Sequence, residues 1–394
     1  MQINVALVFG GASVEHEVSV ISALQAKESL DKTKYNVVPV YMTKKGDFYT
    51  GGAVGDIAEY KDVNALLKKS ERVIFVRDGG VKLVRYPGKR FGDNTVSTVD
   101  VVLPVVHGTN VEDGALQGFF KTLGVPFAGC DVTASAVGMD KFIMKTVFAA
   151  CGIPVLPALR FFAPEYADAD AVISKVENKF GYPVIVKPVD LGSSVGIGIA
   201  HDRTELSDAL DTAFSYARCV LVERAVENLR ELNCAVLGSV ADAQPSEVEE
   251  PFHSRPGDIL DFKDKYMSGG GSKKTGGGSS GMASLQRQIP ADISPELRER
   301  VRQLAVAGFK ALDCRGVARI DFILDGEDVY LNEINTIPGS LAFYLFEPIG
   351  LGYKDMLDRV IDLAFAARRE EQNLTFSFDN DLLSGNIKFG GAKK

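Results

Sequence analysis

Near the C-terminus, Val317-Ala318-Arg319-Ile320-Asp321-Phe322-Ile323 and Val329-Tyr330-Leu331-Asn332-Glu333-Ile334-Asn335 flank the turn-like Asp325-Gly326-Glu327-Asp328. Both runs are largely apolar and are bounded by turn residues, so they read as the two strands of a hairpin. A three-residue loop centred on Glu327 sets Asp321 opposite Glu333 and Arg319 opposite Asn335. Strand side chains alternate, so these four share one face. Carboxylates directly opposite each other repel unless a cation lies between them. Oxygen donors without Cys or His suit Mg²⁺, with substrate phosphates completing the shell. The competing reading is a half-exposed hairpin whose polar face meets water, and the hairpin alone does not choose.

The rest of the 394 residues divides into three stretches, in keeping with two or three domains. In 1–130, short apolar runs (Val5 to Phe9, Val37 to Met42, Val99 to Val106) alternate with polar or helical segments, which predicts an N-terminal Rossmann-like domain on a parallel sheet. Two weaker strands, near Arg72–Val76 and Val81–Arg85, look like an insertion at its edge. In 131–222, a helix over Ala134–Ala150 stops at Cys151-Gly152-Ile153-Pro154. A strand over Pro183–Lys187 then runs into Gly192-Ser193-Ser194-Val195-Gly196, and Asp202 with Glu205 opens another helix as a capping box. In 223–394, a Gly/Ser/Lys-rich segment predicts a mobile loop over 262–290, and Ser294-Pro295 starts a helix. A C-terminal helix over Asp355–Arg369 precedes an extension, 373–394, with strand-like Leu374–Phe378. The fold class is α/β, with α+β lobes behind the first domain.

Lys187 ends an apolar strand just before the Gly/Ser loop. Glycines admit a phosphate closely, hydroxyls and N–H groups donate to it, and an ammonium offsets its charge. A plain hairpin turn is the commoner use of such a loop, and no P-loop spacing exists. Gly10-Gly11-Ala12-Ser13-Val14-Glu15 follows the first strand, where Glu15 can hold an ammonium or simply favour the helix dipole. His107-Gly108 with Glu112-Asp113-Gly114 sits at the carboxyl end of another strand; a lone His is more often structural. The absent G-x-G-x-x-G counts against a dinucleotide oxidoreductase, and the histidines lack metal spacing.

A net charge of −8 repels nucleic acid and anionic lipid. The N-terminal apolar run is too short for a membrane span and lacks a basic leader, so a cytoplasmic protein is expected. Cys130, Cys151, Cys219, Cys234 and Cys314 form no C-x-x-C pair and read as buried free thiols.

Taken in order, Phe9–Ser19, His107–Gly118, Met139-Asp140-Lys141, Val184–Gly196, Arg319-Ile320-Asp321 and Asn332–Gly339 resemble the D-alanine-D-alanine ligase family over nearly the whole chain. The resemblance implies an ATP-grasp fold, in which two α+β lobes hold ATP and the N-terminal domain closes the amino-acid site. It implies phosphate binding by Lys141, Lys187, Ser193 and Ser194, with Lys265 also on the nucleotide. Glu223 would contact adenine and Glu231 the ribose. Asp321, Glu333 and Asn335 would hold two Mg²⁺, with Mn²⁺ as a substitute. The implied catalytic positions are Glu15, Ser193, Tyr266, Arg319 and Gly339: Glu15 grips the first D-alanine's ammonium, while Arg319 and the Gly339 N–H meet the oxyanion. His107 and Tyr266 would also face substrate. A homodimer is the family's common state.

Lys265-Tyr266 matches relatives that take D-alanine as second substrate. After Gly339, however, Tyr344 stands where a small hydroxyl residue is usual, so the expected contact to the second substrate comes from a phenol. The leading expectation is ATP-dependent synthesis of D-alanyl-D-alanine for peptidoglycan. The alternatives are D-serine or D-lactate as acceptor, and a non-catalytic ATP-binding regulator.

Overall fold

A computed structural model describes residues 2–251 and 287–378. Three sheets organise it. The first contains β1 (Ile3–Gly10), β2 (Tyr35–Met42), β3 (Phe48–Thr50), β4 (Glu71–Arg77), β5 (Val81–Arg85), β6 (Thr95–Val99) and β7 (Val101–Pro104), in the order β6-β5-β4-β3-β2-β1-β7. Only β1 with β2 and β7 is parallel; β2 through β6 pair antiparallel. The expected parallel layer is therefore a mixed sheet, and the edge insertion is its antiparallel extension. Burial gives the reason: β7 and most of β1 are covered, whereas β4 to β6 carry exposed or half-exposed positions that an antiparallel edge tolerates. Helix α1 (His16–Ser29) crosses from β1 to β2. Gly10, at φ +93°, lies so close to β2 that a Cβ would sit 2.2 Å from the Met42 carbonyl oxygen, so this glycine serves packing.

Short helices α2 (Val63–Lys69) and α3 (Ala115–Leu123) complete this part. The helix expected over Ala134–Ala150 is two helices, α4 (Val132–Met139) and α5 (Lys141–Ala150). Asp140 between them takes extended φ/ψ, and its carboxylate accepts from the N–H groups of Phe142 and Ile143 at 3.0 and 2.9 Å. That N-cap starts a new helix with Lys141 at its first position.

The second sheet is antiparallel, β8 (Ala158–Phe162), β9 (Val184–Pro188), β10 (Gly198–Ala200) and β11 (Cys219–Arg224), in the order β10-β9-β11-β8. Helices α6 (Ala169–Phe180) and α7 (Arg203–Tyr216) contribute Val172, Val176, Leu206 and Leu210 to its core. Asp202 caps α7, while Glu205 reaches back to the N–H of His201, one residue beyond the N-cap that the expected box would use.

The third sheet runs β14-β13-β12-β15-β16, from β12 (Arg230–Gly238), β13 (Gln244–Pro251), β14 (Arg287–Gln288), β15 (Gly316–Asp325) and β16 (Asp328–Asn335). Alternation divides its two faces. Cys234, Val236, Ala318 and Ile320 pack with Val301, Ala305 and Phe309 of α8 (Pro295–Ala311). Ala235, Leu237 and Val317 face α9 (Tyr353–Gln372), whose Leu357, Val360 and Ile361 share a core with β1 and β7. The last helix thus packs into the same core as the first sheet. Burying each such aliphatic side chain contributes about 1.5–3 kcal/mol.

Residues 287–290, expected in the loop, are β14 and the turn after it; the remainder of that loop, with Lys265 and Tyr266, lies outside the described residues. The strand expected over Leu374–Phe378 is not formed, and Phe376 and Phe378 are 77% and 79% exposed. Residues 379–394 also lie outside the description. All five thiols are free, but Cys151 is exposed and Cys219 half-buried, since they stand at a helix end and at the start of a strand. No helix among the described residues is long and apolar enough to cross a membrane.

Candidate active site

The three sheets meet at one cleft, to which the first contributes Glu15, His107 and Glu112, the second Lys187, Ser193 and Ser194, and the third Glu231, Arg319, Asp321, Glu333, Asn335 and Gly339. Lys141 enters from the start of α5.

The hairpin has the anticipated pairs, Arg319 with Asn335 and Asp321 with Glu333, but reaches them differently. Asp325 pairs with Asp328, so the turn is Gly326-Glu327, and the register then shifts between Asp321 and Phe322. Uncorrected, that tighter turn would set Asp321 opposite Asn332 and send Glu333 to the other face. Asn332 is the extra residue of a β-bulge, which restores the carboxylate pair. Its Oδ1 accepts from Lys187 Nζ at 3.3 Å.

Arg319 Nε and Nη2 donate to the two Asp321 oxygens, both at 2.7 Å, and Asn335 Nδ2 donates to Asp321 Oδ2 at 3.0 Å. Burial opposes the Arg319 charge, but Asp321 outweighs it and holds the guanidinium well above its ordinary range. Among the described lining residues, the carboxylates Glu15, Glu112, Glu231, Glu249, Asp321 and Glu333 outnumber Lys141, Lys187, Arg287 and Arg319. This acidic excess fits a divalent cation. Asp321, Glu333 and Asn335 supply hard oxygens but no group of three or more His, Cys, Asp or Glu donors occurs among the described residues. Such a set suits Mg²⁺ shared with phosphate oxygens better than an all-protein cage.

Next to the hairpin, Lys141 Nζ donates to the Leu191 carbonyl at 2.7 Å and stands 3.9 Å from Glu333 Oε2. Ser193 and Ser194 hold left-handed backbone, φ 55° and 58°, a strained conformation typical of ligand loops. Ser193 Oγ donates to Glu15, tying the second sheet's loop to the first sheet's helix. A Cβ at Gly192 would lie 2.9 Å from Glu15 Oε2, so a side chain there would push that carboxylate aside.

Lys187 is bonded to Glu223, whose other oxygen is 2.8 Å from Lys145 Nζ. Burial pushes the Glu223 carboxyl up, but Lys145 and Lys187 together pull it down to about 2. Lys145 is lowered by its own burial, only partly offset by Glu223. Glu223 has 0% exposure, so its carboxylate sits behind the cleft and positions Lys187; the expected adenine contact does not come from this side chain as folded. Lys145 was not among the sequence candidates. Its signal is a place four residues after Lys141, one helical turn away.

His107 is not open to substrate at either nitrogen. Nδ1 donates to the Ile337 carbonyl at 2.8 Å, leaving Nε2 to accept from Ser22 Oγ at 3.0 Å, which itself accepts from the Ser340 N–H at 3.0 Å. Burial lowers its pKa, so it stays neutral. This chain anchors the segment after Gly339, where Ser340, Leu341 and Ala342 all have φ near 51°. Three consecutive left-handed residues cost about 1–2 kcal/mol each, and the network holds them.

Glu112 completes the anchor by accepting from the N–H groups of Gly108 and Ile337 at 3.0 and 2.8 Å. Burial first, and the charge of Glu15, push its carboxyl up to about 7. Its native pKa exceeds the unfolded value, so this contribution to stability is complete below about pH 4 and lost as pH rises through about 7. Glu112→Gln leaves one N–H facing an amide NH₂ and should cost about 1–3 kcal/mol. Thermal unfolding from pH 5 to 8 should show a flatter stability profile in the variant; parallel profiles would remove Glu112 as the titrating group.

Tyr344 does not line the cleft. Its ring is buried, and its hydroxyl donates to Glu249 Oε1 at 3.2 Å. Glu249 and Arg287, neither a sequence candidate, take its place on the wall. They were not legible because β13 and β14 come together only across the segment between them.

Family models for the D-ala D-ala ligase N-terminus and C-terminus match residues 4–130 and 147–362. The chain belongs to the D-alanine-D-alanine ligase family. A ligase of this name from Acetivibrio thermocellus is 40% identical over 94% of this chain and 97% of its own. Among solved structures, the D-alanine-D-alanine ligase of Coxiella burnetii has a TM-score of 0.76 at 28% identity, covering 94% of this chain and 97% of that one. The VanG D-Ala:D-Ser ligase of Enterococcus faecalis has a TM-score of 0.74 at 30% identity, covering 92% and 100%. The ligase family's ATP-grasp fold agrees with the α/β architecture, its two α+β lobes being the second and third sheets with their helices.

Proposed function

We propose that the protein joins two D-alanines into D-alanyl-D-alanine at the expense of ATP, for peptidoglycan precursors. The observation that carries this is that Asp321, Glu333 and Asn335 line the same cleft as Lys141, Lys187 and the Ser193-Ser194 loop. A carboxylate is a poor electrophile, so the first D-alanine takes the γ-phosphoryl group of ATP, giving an acyl phosphate and ADP. The second D-alanine's amine then forms the amide bond and phosphate leaves. Bound at Asp321, Glu333 and Asn335, two Mg²⁺ ions would offset charge on the phosphoryl oxygens.

Lys141, Lys187, Ser193 and Ser194 bind the phosphates, with Lys265 adding a further cation. Glu231 meets the ribose. Glu15, held by Ser193, grips the first ammonium, and Tyr266 is a further residue assigned to the substrate. Arg319 and the Gly339 N–H meet the oxyanion, stabilising charge that develops only in the transition state. We also infer a cytoplasmic homodimer that uses the cell's ATP, with divisions at 1–130, 131–222 and 223–394.

The test is phosphate release from Mg-ATP with D-alanine alone, then with D-serine or D-lactate added, products identified by mass. D-alanyl-D-alanine from D-alanine alone is expected. Release only with a second acceptor would keep the phosphoryl chemistry and replace the product; no release with any of them would overturn the reading.

A further inference from the structure

One buried carboxylate has a lysine at each oxygen. Glu223, at 0% exposure, is bonded through Oε1 to Lys187, and its Oε2 is 2.8 Å from Lys145 Nζ. The three come from separate elements: Lys187 from β9, Glu223 from the neighbouring β11, and Lys145 from α5, one helical turn beyond Lys141. Lys187 lines the cleft, while Glu223 and Lys145 stand behind it. One carboxylate needs one cation, so the second ammonium is an excess charge in the interior, where it costs stability. Burial opposes the charge on Lys145, and the adjoining Glu223 carboxylate supports it. Two ammonium groups on one carboxylate leave a single positive charge; without Lys145, Glu223 would cancel Lys187 and leave none.

We propose that Lys145 is a positioning residue for nucleotide binding, which neutralises Glu223 from behind and so leaves the charge of Lys187 to the phosphates of Mg-ATP. This rests on the reading of the cleft as a nucleotide site given above. Lys145 touches no ligand; it acts through Glu223. A lone Lys187–Glu223 pair would offer an approaching phosphate an ammonium already balanced and a carboxylate that repels it. Charges held in the interior are screened far less than surface ones, so the balance behind the cleft is felt within it. The ligand class that follows is a nucleotide whose affinity depends on phosphate charge, with no such dependence for the nucleoside.

Lys145→Met keeps the unbranched side chain and removes the charge, and the remaining Lys187–Glu223 pair is neutral, so the fold should persist. Equilibrium titration of the full chain with Mg-ATP, ADP and adenosine reads the effect. Lys145→Met should weaken Mg-ATP and ADP by about 10- to 30-fold and leave adenosine within about threefold. Lys145→Met/Glu223→Gln removes one charge of each sign and returns the group to a single positive charge. It should bring Mg-ATP affinity back to within about fivefold of wild type, whereas a packing defect at Lys145 would leave the double variant no better than the single one.

Unchanged Mg-ATP affinity in Lys145→Met, an equal loss for adenosine, or a folded double variant as weak as the single one would overturn the assignment. If the double variant does not fold, as melting would show, the comparison of Mg-ATP with adenosine in Lys145→Met decides. Wild type that binds no Mg-ATP overturns the nucleotide reading itself; wild type that does, with Lys145→Met unchanged, overturns only the role of Lys145.

Discussion

Glu333→Gln is expected to lower kcat by at least about a hundredfold with a melting temperature near that of wild type. The side chain is 26% exposed at the cleft, so little packing is lost. What changes is charge: the variant removes one of the two carboxylates that face each other across the hairpin, Asp321 being the other. An amide donates where an ion needs an anion, so charge on the transferring phosphoryl group is no longer offset. Because the loss is in the transition state, nucleotide affinity should fall much less than turnover. Steady-state phosphate release, with the melting temperature as control, measures both. Turnover within a few-fold of wild type would remove the hairpin from the metal site. A variant that is also strongly destabilised would mean that Glu333 holds the hairpin together.

Glu223→Gln is expected to destabilise the protein by about 3–5 kcal/mol, the largest stability effect of any single change proposed. Lys145 and Lys187, with side chains 5% and 7% exposed, would keep two ammonium groups together without the anion between them. A Lys145→Met/Glu223→Gln double variant should recover part of the loss, since one uncompensated charge goes with it. Acid should act in the same sense. Glu223 has a native carboxyl pulled down to about 2, so its contribution is present above the ordinary glutamate range and lost as pH falls from about 4 towards 2. That shift corresponds to about 3 kcal/mol, opposed by the cost of keeping Lys145 charged. Denaturant unfolding at pH 7 and pH 3 tests it. Equal stability of wild type and Glu223→Gln at pH 7 would show that the buried triad is not a structural element.

The lysine that precedes the Gly/Ser loop and the shared polar face of the hairpin were legible in the chain because each is a local pattern. Lys187 closes an apolar strand before a Gly/Ser loop, and Arg319, Asp321, Glu333 and Asn335 alternate on two strands joined by a tight turn. Even there, the two-residue turn and the Asn332 bulge replaced the assumed loop, and two deviations of opposite sense left the facing pairs unchanged. The break at Asp140 was missed because the apolar pattern continues through it, although an N-cap residue stood in plain view.

Side-chain assignments that depend on distant segments fared differently. His107 looked like a substrate ligand, yet its nitrogens are taken by Ile337 and Ser22, 230 and 85 residues away. Glu223 looked like a cofactor contact, and its carboxylate is enclosed by Lys145 and Lys187. Tyr344 looked like the acceptor contact, and its hydroxyl belongs to Glu249. What the sequence by itself determined was the chemistry on offer and the local geometry that presents it, because turn, cap and strand periodicity act over a few residues. Which of those polar groups face the cleft, and which turn inward to hold the others, only the tertiary structure decided. A buried polar group must find partners wherever packing brings them, and that packing is set by three sheets meeting from separate parts of the chain.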